Sequence, residues 1–174
     1  MRTSNHRFVR TPLLLPSSLL TFIVIVAPLA VCQDVDAPSF GMFAGAGVEQ
    51  GRSSRAALQA GASMEQIFPN HWVGYMFEGA YLGPFGDLHG GSAVFAFNYV
   101  TSWQRRSVPK LLPFATLGYA QLFGTGNAVD FGAGVDLRLR PSFGIRVEGR
   151  DYLSFAPHQH NIAIRIGIRR YVWD

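Results

Sequence analysis

"PSFGIRVEGRDYLSF", residues 141–155, opens on turn residues and then alternates. Phe143, Ile145 and Val147 share one parity; Arg146, Glu148 and Arg150 share the other. Successive side chains of a β-strand point to opposite faces, so this strand carries an apolar face and a face of alternating charge. A sheet in water would turn its charges out. Which face is enclosed therefore decides the fold.

The same alternation recurs on both sides of this stretch. "GGSAVFAFNYVTSW" sets Phe95, Phe97, Tyr99 and Trp103 against Ser92, Ala96, Asn98 and Ser102. "NAVDFGAGVDLRLR" sets Val129, Phe131, Ala133, Val135, Leu137 and Leu139 against Asp130, Gly132, Gly134, Asp136, Arg138 and Arg140. "HNIAIRIGIRRYVW" sets Ile162, Ile164, Ile166 and Ile168 against Ala163, Arg165, Gly167 and Arg169. Earlier, Gln59, Ser63, Glu65 and Glu78 oppose Leu58, Ala60, Met64, Tyr75, Phe77 and Tyr81. The first and fifth strands alternate poorly, and their faces stay unassigned at this level.

From Ser39 onward the chain divides into eight segments, roughly 39–49, 55–67, 71–83, 91–104, 111–124, 127–139, 142–154 and 160–173. Turn chemistry separates them: "EQGRSSR", "FPNH", "GPFGDLHGG", "QRRSVPK", "GTGN", "RPS" and "FAPHQH". No stretch sustains a helical period. Nineteen glycines, fourteen phenylalanines and a charged share of 15% suit many strands and tight turns; a typical domain is about a quarter charged. A length of 174 residues is that of one domain.

The first thirty-odd residues read as an export signal. "MRTSNHRFVR" carries three arginines and no acid, and "LLLPSSLLTFIVIVAPLAVCQD" is an apolar stretch ending in small residues. Pro16, Ser17 and Ser18 interrupt the run and leave it short for a spanning helix. We expect a signal peptide over 1–32, a short lead over 33–38 and a barrel domain over 39–174. Cys32, the single cysteine, sits at this junction; "LAVC" resembles a lipoprotein signal but places Val31 where a small residue is wanted. Cleavage after Cys32 leaves a mature chain without disulfides. Removing Arg2, Arg7 and Arg10 leaves twelve basic residues against eleven acidic ones. The basic balance of the whole chain thus belongs to the signal, and no nucleic-acid surface is implied.

Three features turn the apolar face outward. The segments run to about ten to fourteen residues, where soluble strands average about five or six and tilted membrane strands need about nine to eleven. Eight is the smallest number of strands in bacterial outer-membrane barrels. The polar face mixes glycine with acids and arginines and nearly lacks lysine, as a narrow lumen requires. Open strand edges in hydrocarbon would leave backbone groups unpaired, so the eighth strand must close on the first. The expected fold is therefore all-β: an eight-stranded antiparallel up-and-down transmembrane β-barrel preceded by a signal peptide.

In that arrangement Arg146, Glu148 and Arg150 enter the lumen beside Asp136, Arg138, Arg165 and Arg169, with Glu65 and Glu78 facing them across the interior. Arginine suits such sites because its planar fork binds carboxylates bidentately and stays charged. An eight-stranded interior is filled by side chains, so this reads as a packed core more than as an ion path. With both ends in the periplasm, Trp72, Trp103 and Trp173 fall at the periplasmic rim with Phe143, where an aromatic girdle belongs. Simple parity turns Trp72 and Trp173 inward, so that role needs an irregular strand end. Tyr81, Phe85, Phe123 and Phe155 lie toward the other rim.

The chain resembles the small eight-stranded outer-membrane β-barrels, like the OmpA membrane domain and the OmpX-like barrels, over all of 39–174. The most suggestive local piece is "VDLRLRPSFGIRVEGRDYL", similar to a closing hairpin of such barrels. The resemblance implies residence in a Gram-negative outer membrane, contact with membrane lipid and with the barrel-assembly machinery, a monomer, and a structural or surface-interaction role without a cofactor. Family barrels end in an aromatic strand; here "RIGIRRYVWD" supplies Gly167, Tyr171 and Trp173 but departs at Arg170 and Asp174.

Catalytic chemistry is thin. His158 and His160 of "HQH" offer two imidazoles, which without a third ligand read as a solvated loop, so no metal site is expected. The glycines of "GAGV", 45–48, and "GAGVDL", 132–137, lack a strand-to-helix context and read as lumen glycines. Some eight-stranded barrels modify lipid A with a Ser, a His and an acid; Ser154, His158 and Asp151 are close in sequence, but no oriented triad is legible. The competing non-enzymatic reading is a soluble, lipocalin-like secreted barrel, with the apolar faces lining a cavity for a lipophilic ligand.

Overall fold

The computed structural model describes residues 38–50, 54–68, 72–86, 90–102, 111–155 and 158–172. The expected signal peptide and all of the lead except Pro38 lie outside the described residues, as do Trp103 and Trp173. Eight strands follow one another: β1 Ser39–Gln50, β2 Ser54–Ile67, β3 Val73–Pro84, β4 Ser92–Ser102, β5 Leu111–Leu122, β6 Gly126–Arg140, β7 Phe143–Phe155 and β8 His158–Tyr171. Among the described residues every regular element is a strand. Each strand pairs antiparallel with its successor, and β1 pairs with β8 from Ser39↔Tyr171 to Gln50↔His160, which closes the barrel. One further bond, from the Val172 N–H to the Pro38 carbonyl (3.1 Å), continues that seam past the strand ends.

The turns obey local chemistry. Pro141 and Ser142 link β6 to β7, where the register shifts between Arg138 and Arg140. Between β5 and β6 the chain reverses through Phe123, Gly124 and Thr125, and Gly124 takes a φ of 93° that side-chain-bearing residues rarely adopt.

Burial settles which face is enclosed. On β8, Ala163, Arg165, Gly167 and Arg169 are buried and Ile162, Ile164, Ile166 and Ile168 are exposed. On β7, Arg146, Glu148 and Arg150 are buried while Val147 is exposed. Phe95 and Tyr99 of β4 point out at 61% and 70% exposure, whereas Asn98 between them is fully covered. Where a strand alternates in hydropathy, as β4, β7 and β8 do, its apolar side is thus the outside of the barrel. Ring pairs knit that outer surface across β3 and β4, among them Phe77–Phe97 at 5.0 Å between centroids. Tyr75 shares this outer side but is covered by the rings of Phe68, Phe77 and Phe97.

The two strands whose faces the sequence left open have inner faces without charge along most of their length. β1 turns Gly41, Phe43, Gly45 and Gly47 inward, and β5 turns Leu112, Phe114, Ala120 and Leu122 inward. Their geometry alternates even though their hydropathy does not. The interior is layered accordingly. Toward the end opposite the termini it is apolar, with Leu82, Val94, Leu122 and Tyr152 packed among Ala57, Ala96, Ala120 and Ala128. The rest of its length carries the charges.

Close approach of β1 to β8 demands a glycine at 45, because a Cβ there would lie 2.6 Å from the Cβ of Arg165. At Gly149, on the outer side of β7, the nearest atom to an added Cβ is 3.9 Å away. Gly45→Ala should therefore lower the stability of the refolded barrel by about 1–3 kcal/mol, the usual scale for overpacking. Gly149→Ala should leave it unchanged. Urea unfolding midpoints of the two variants check the contrast, and equal midpoints would refute the packing account.

Candidate functional site

The buried polar side chains concentrate in the lumen, where they form two neighbouring ion-pair clusters. The first centres on Glu78, presented by β3. Arg165 reaches it from β8 with two bonds, Nη1 to Oε1 at 2.8 Å and Nη2 to Oε2 at 2.6 Å. Arg150 reaches the same carboxylate from β7, Nη2 to Oε2 at 2.9 Å. Glu148 joins both arginines, 2.9 Å from Arg165 Nη2 and 3.3 Å from Arg150 Nε. Asp130 on β6 pairs with Arg150 Nη1 at 3.0 Å and accepts from Asn98 Nδ2 at 2.9 Å. Arg150 Nη1 also donates to the Thr116 hydroxyl at 2.6 Å. Tyr152 donates its hydroxyl proton to Glu78 and accepts from Gln59 Nε2 at 2.7 Å, which ties the cluster to the apolar layer above it.

The second cluster lies nearer the termini. Arg146 grips Asp136 bidentately, Nε to Oδ1 at 2.8 Å and Nη2 to Oδ2 at 2.6 Å, and meets Glu65 of β2 at 3.0 Å. Its guanidinium also lies over the Phe114 ring, 3.7 Å from the centroid. Arg169 reaches Glu65 at 2.9 Å and Asp136 at 3.4 Å. Each carboxylate here is shared by two arginines, which is how a dry interior can hold charge: every ion is paired and hydrogen-bonded.

Of the nine lumen residues expected from the sequence, Glu65, Glu78, Asp136, Arg146, Glu148, Arg150, Arg165 and Arg169 meet in these clusters. Arg138 sits elsewhere. It is only half-buried and lies over the Tyr171 ring, 4.5 Å from the centroid, close to the strand ends where the interior opens. Sequence alternation puts Asp130 and Asn98 on the polar face but gives them no partner, and it gives Thr116 and Tyr152 no place in the site. Tyr152 shares the parity of Arg146, Glu148 and Arg150, which is the sequence signal that places it in the lumen.

Of the expected girdle, Trp72 is exposed at 58% and Phe143 is half-buried; both sit at the terminus end. Trp72 precedes the first residue of β3, and its carbonyl accepts from the Ser102 N–H at 2.7 Å. Position 72 thus continues the inward parity of Gly74 and Met76, and the indole is exposed because it lies beyond the end of β3, at the mouth of the barrel. At the opposite end Phe85, Phe123 and Phe155 are exposed.

Packing leaves little open space inside. A void of about 10 Å³ lies among Phe43, Ser63, Arg146, Glu148 and Arg165, room for about one water. At the mouth opposite the termini a shallow cup of about 60 Å³ is lined by Glu49, Ser92, Ser154, Gln159 and Asn161 over Leu82 and Leu122.

The residues considered for a catalytic triad do not assemble. Ser154 turns inward and donates to the Gln159 carbonyl at 3.0 Å, while Asp151 has the opposite parity and binds His160, not His158. Nor is "HQH" a loop. β8 begins at His158, where Phe155 of β7 pairs with it, so both histidines belong to the sheet.

No protein-family model matches the chain, and no curated protein sequence matches it either. Solved structures do. Neisserial surface protein A superposes with a TM-score of 0.62 at 9% identity, covering 80% of this chain and 100% of that one. The N-terminal β-barrel domain of Pseudomonas aeruginosa OprF gives 0.56 at 11%, covering 80% and 100%. The outer membrane enzyme PagL gives 0.50 at 15%, covering 76% and 99%.

Glu78 anchors both Arg150 and Arg165, so Glu78→Ala should destabilise the barrel by about 3–5 kcal/mol, as when one partner of a buried pair is removed. A urea midpoint equal to that of the wild type would mean the cluster is hydrated and does not hold the interior together. The closed, charge-filled barrel with an apolar exterior has the fold of the small eight-stranded outer-membrane β-barrels.

Proposed function

We propose that this chain is an integral barrel of a Gram-negative outer membrane, exported through the periplasm, with a structural or surface-interaction role and no conducting lumen. The observation that carries this reading is the inversion of polarity. Ion pairs fill the inside, while Met42, Phe95, Tyr99, Ile164 and Ile166 stand out at about 59–70% exposure. An apolar surface of that extent is unstable in water and stable against acyl chains. Strands of 11 to 15 residues are long enough for a tilted crossing of a bilayer.

The same observation disfavours a soluble lipocalin-like barrel, which needs its apolar side chains around an internal cavity. It also supports membrane lipid as the principal partner. In this reading the chain acts as a monomer and is inserted by the barrel-assembly machinery, and the void beside Arg146 is far too small for a water-filled path.

Fractionation of cells expressing the full chain, followed by gel migration of the membrane pellet with and without boiling, tests the proposal. We expect recovery in the outer-membrane fraction and a compact, faster band before boiling. A soluble periplasmic or secreted product would overturn it.

A further inference from the structure

One polar group sits on the wrong side of the barrel. Asp151 has the parity of Val147 and Gly149, on the outer surface, where its cross-strand neighbours are Phe131 of β6 and Ile162 of β8. Both are exposed apolar residues, at 42% and 44%. A carboxylate placed among such side chains costs free energy unless it has a specific partner. Its partner is His160, whose Nδ1 lies 2.7 Å from Oδ2. The Asp151 side chain is only 10% exposed, and its other oxygen, Oδ1, has no hydrogen-bond partner.

This pairing fixes the imidazole. A carboxylate on Nδ1 holds the proton there and leaves the lone pair on Nε2, on a ring that is 46% exposed. His158 stands two residues back on the same face of β8, because Gln159 between them turns to the lumen side and bonds Glu49. Two residues along a strand span about 6.6 Å, a separation that two imidazoles can bridge through one metal ion with bonds of about 2.0–2.1 Å.

We propose that His158 and His160 form a chelating pair for a borderline divalent transition metal such as Zn²⁺, Ni²⁺ or Cu²⁺, with Asp151 as the residue that positions His160. Imidazole pairs select these ions over Ca²⁺ and Mg²⁺, which prefer oxygen. Carboxylate support on the far nitrogen is the usual device for orienting a metal-binding histidine and raising its basicity. Among the described residues no third histidine, cysteine or acid joins the pair to complete a set of three, so the remaining positions fall to water or to phosphate oxygens of a neighbouring lipid. The site lies at the end of the barrel opposite the termini, beside exposed Phe155, where such headgroups would be in reach.

The test uses full-length, tag-free protein refolded in detergent, with Cu²⁺ alone as the probe. Paramagnetic resonance should show coupling to two imidazole nitrogens, and calorimetry should give one tight site per barrel. His158→Asn and His160→Asn should each reduce the coupling to one nitrogen and weaken binding by about 10-fold or more. Asp151→Asn should keep both nitrogens and weaken binding by about 10–100-fold, the usual effect of losing a supporting carboxylate. Each variant is first checked for the fast unboiled band, which these outer positions should leave intact. An unchanged titration in the His158→Asn/His160→Asn double variant would place the copper on other histidines and overturn the proposal. Full affinity in Asp151→Asn would overturn the role of Asp151.

Discussion

Two guanidiniums, those of Arg150 and Arg165, converge on the carboxylate of Glu78 in the middle of the barrel. The rest of the interior is arranged around that contact. An arginine moved out of water loses hydration worth many kcal/mol, so it is tolerated only when paired with carboxylates and hydrogen-bonded. Arg150 reaches acceptors on β3, β4, β5 and β6 as well as on its own strand. One side chain thus ties β7 to three strands, β3, β4 and β5, that share no backbone ladder with it, and a shift in register of any of them would break one of its bonds. Buried ion pairs contribute little net stability compared with an apolar core. Here their directional bonds favour a single register in a closed sheet.

That arrangement dictates what the remaining strands contribute. β7 and β8 supply the buried arginines, so β1, which lies beside β8, has to accommodate their side chains on its inner face. Gly45 lies where any side chain would strike Arg165, and Phe43 lies under the same guanidinium, 4.1 Å from it. β4 and β5 supply neutral acceptors and apolar bulk through Asn98, Thr116 and Phe114. Above the charges, Tyr152 presents its hydroxyl to Glu78 and its ring to the alanine and leucine layer, so the polar and apolar halves of the interior meet without an orphaned carboxylate.

The sequence disclosed a good deal of this because charge alternates with isoleucine on β7 and β8, and that contrast survives without any knowledge of neighbours. Where both faces are apolar or glycine-rich, as on β1 and β5, strand geometry leaves no trace in hydropathy. Partner choice was equally hidden: Arg150 finds Asp130 on the adjacent β6 and Thr116 on β5 beyond it, a relation set by register and not by local spacing. Arg138 shares the parity of the lumen residues but lies near a strand end, where it is half-buried with its guanidinium over the Tyr171 ring. The histidines of "HQH" read as a loop because polar residues lie on both faces there. Only pairing with Gln50 and Phe155 shows that the strand extends that far.

Everything rests on the apolar faces being turned outward against lipid. The direct measurement is nitroxide accessibility in bilayers, with Cys32 replaced by serine and single cysteines placed at Ala133, Val147, Ile164 and Ile166, all outer-face positions. We expect each label to collide often with oxygen dissolved in the acyl chains and rarely with an aqueous nickel chelate. Free collision with the chelate at these positions would show that water, not lipid, faces the isoleucines, and the barrel would have to be read as a soluble one.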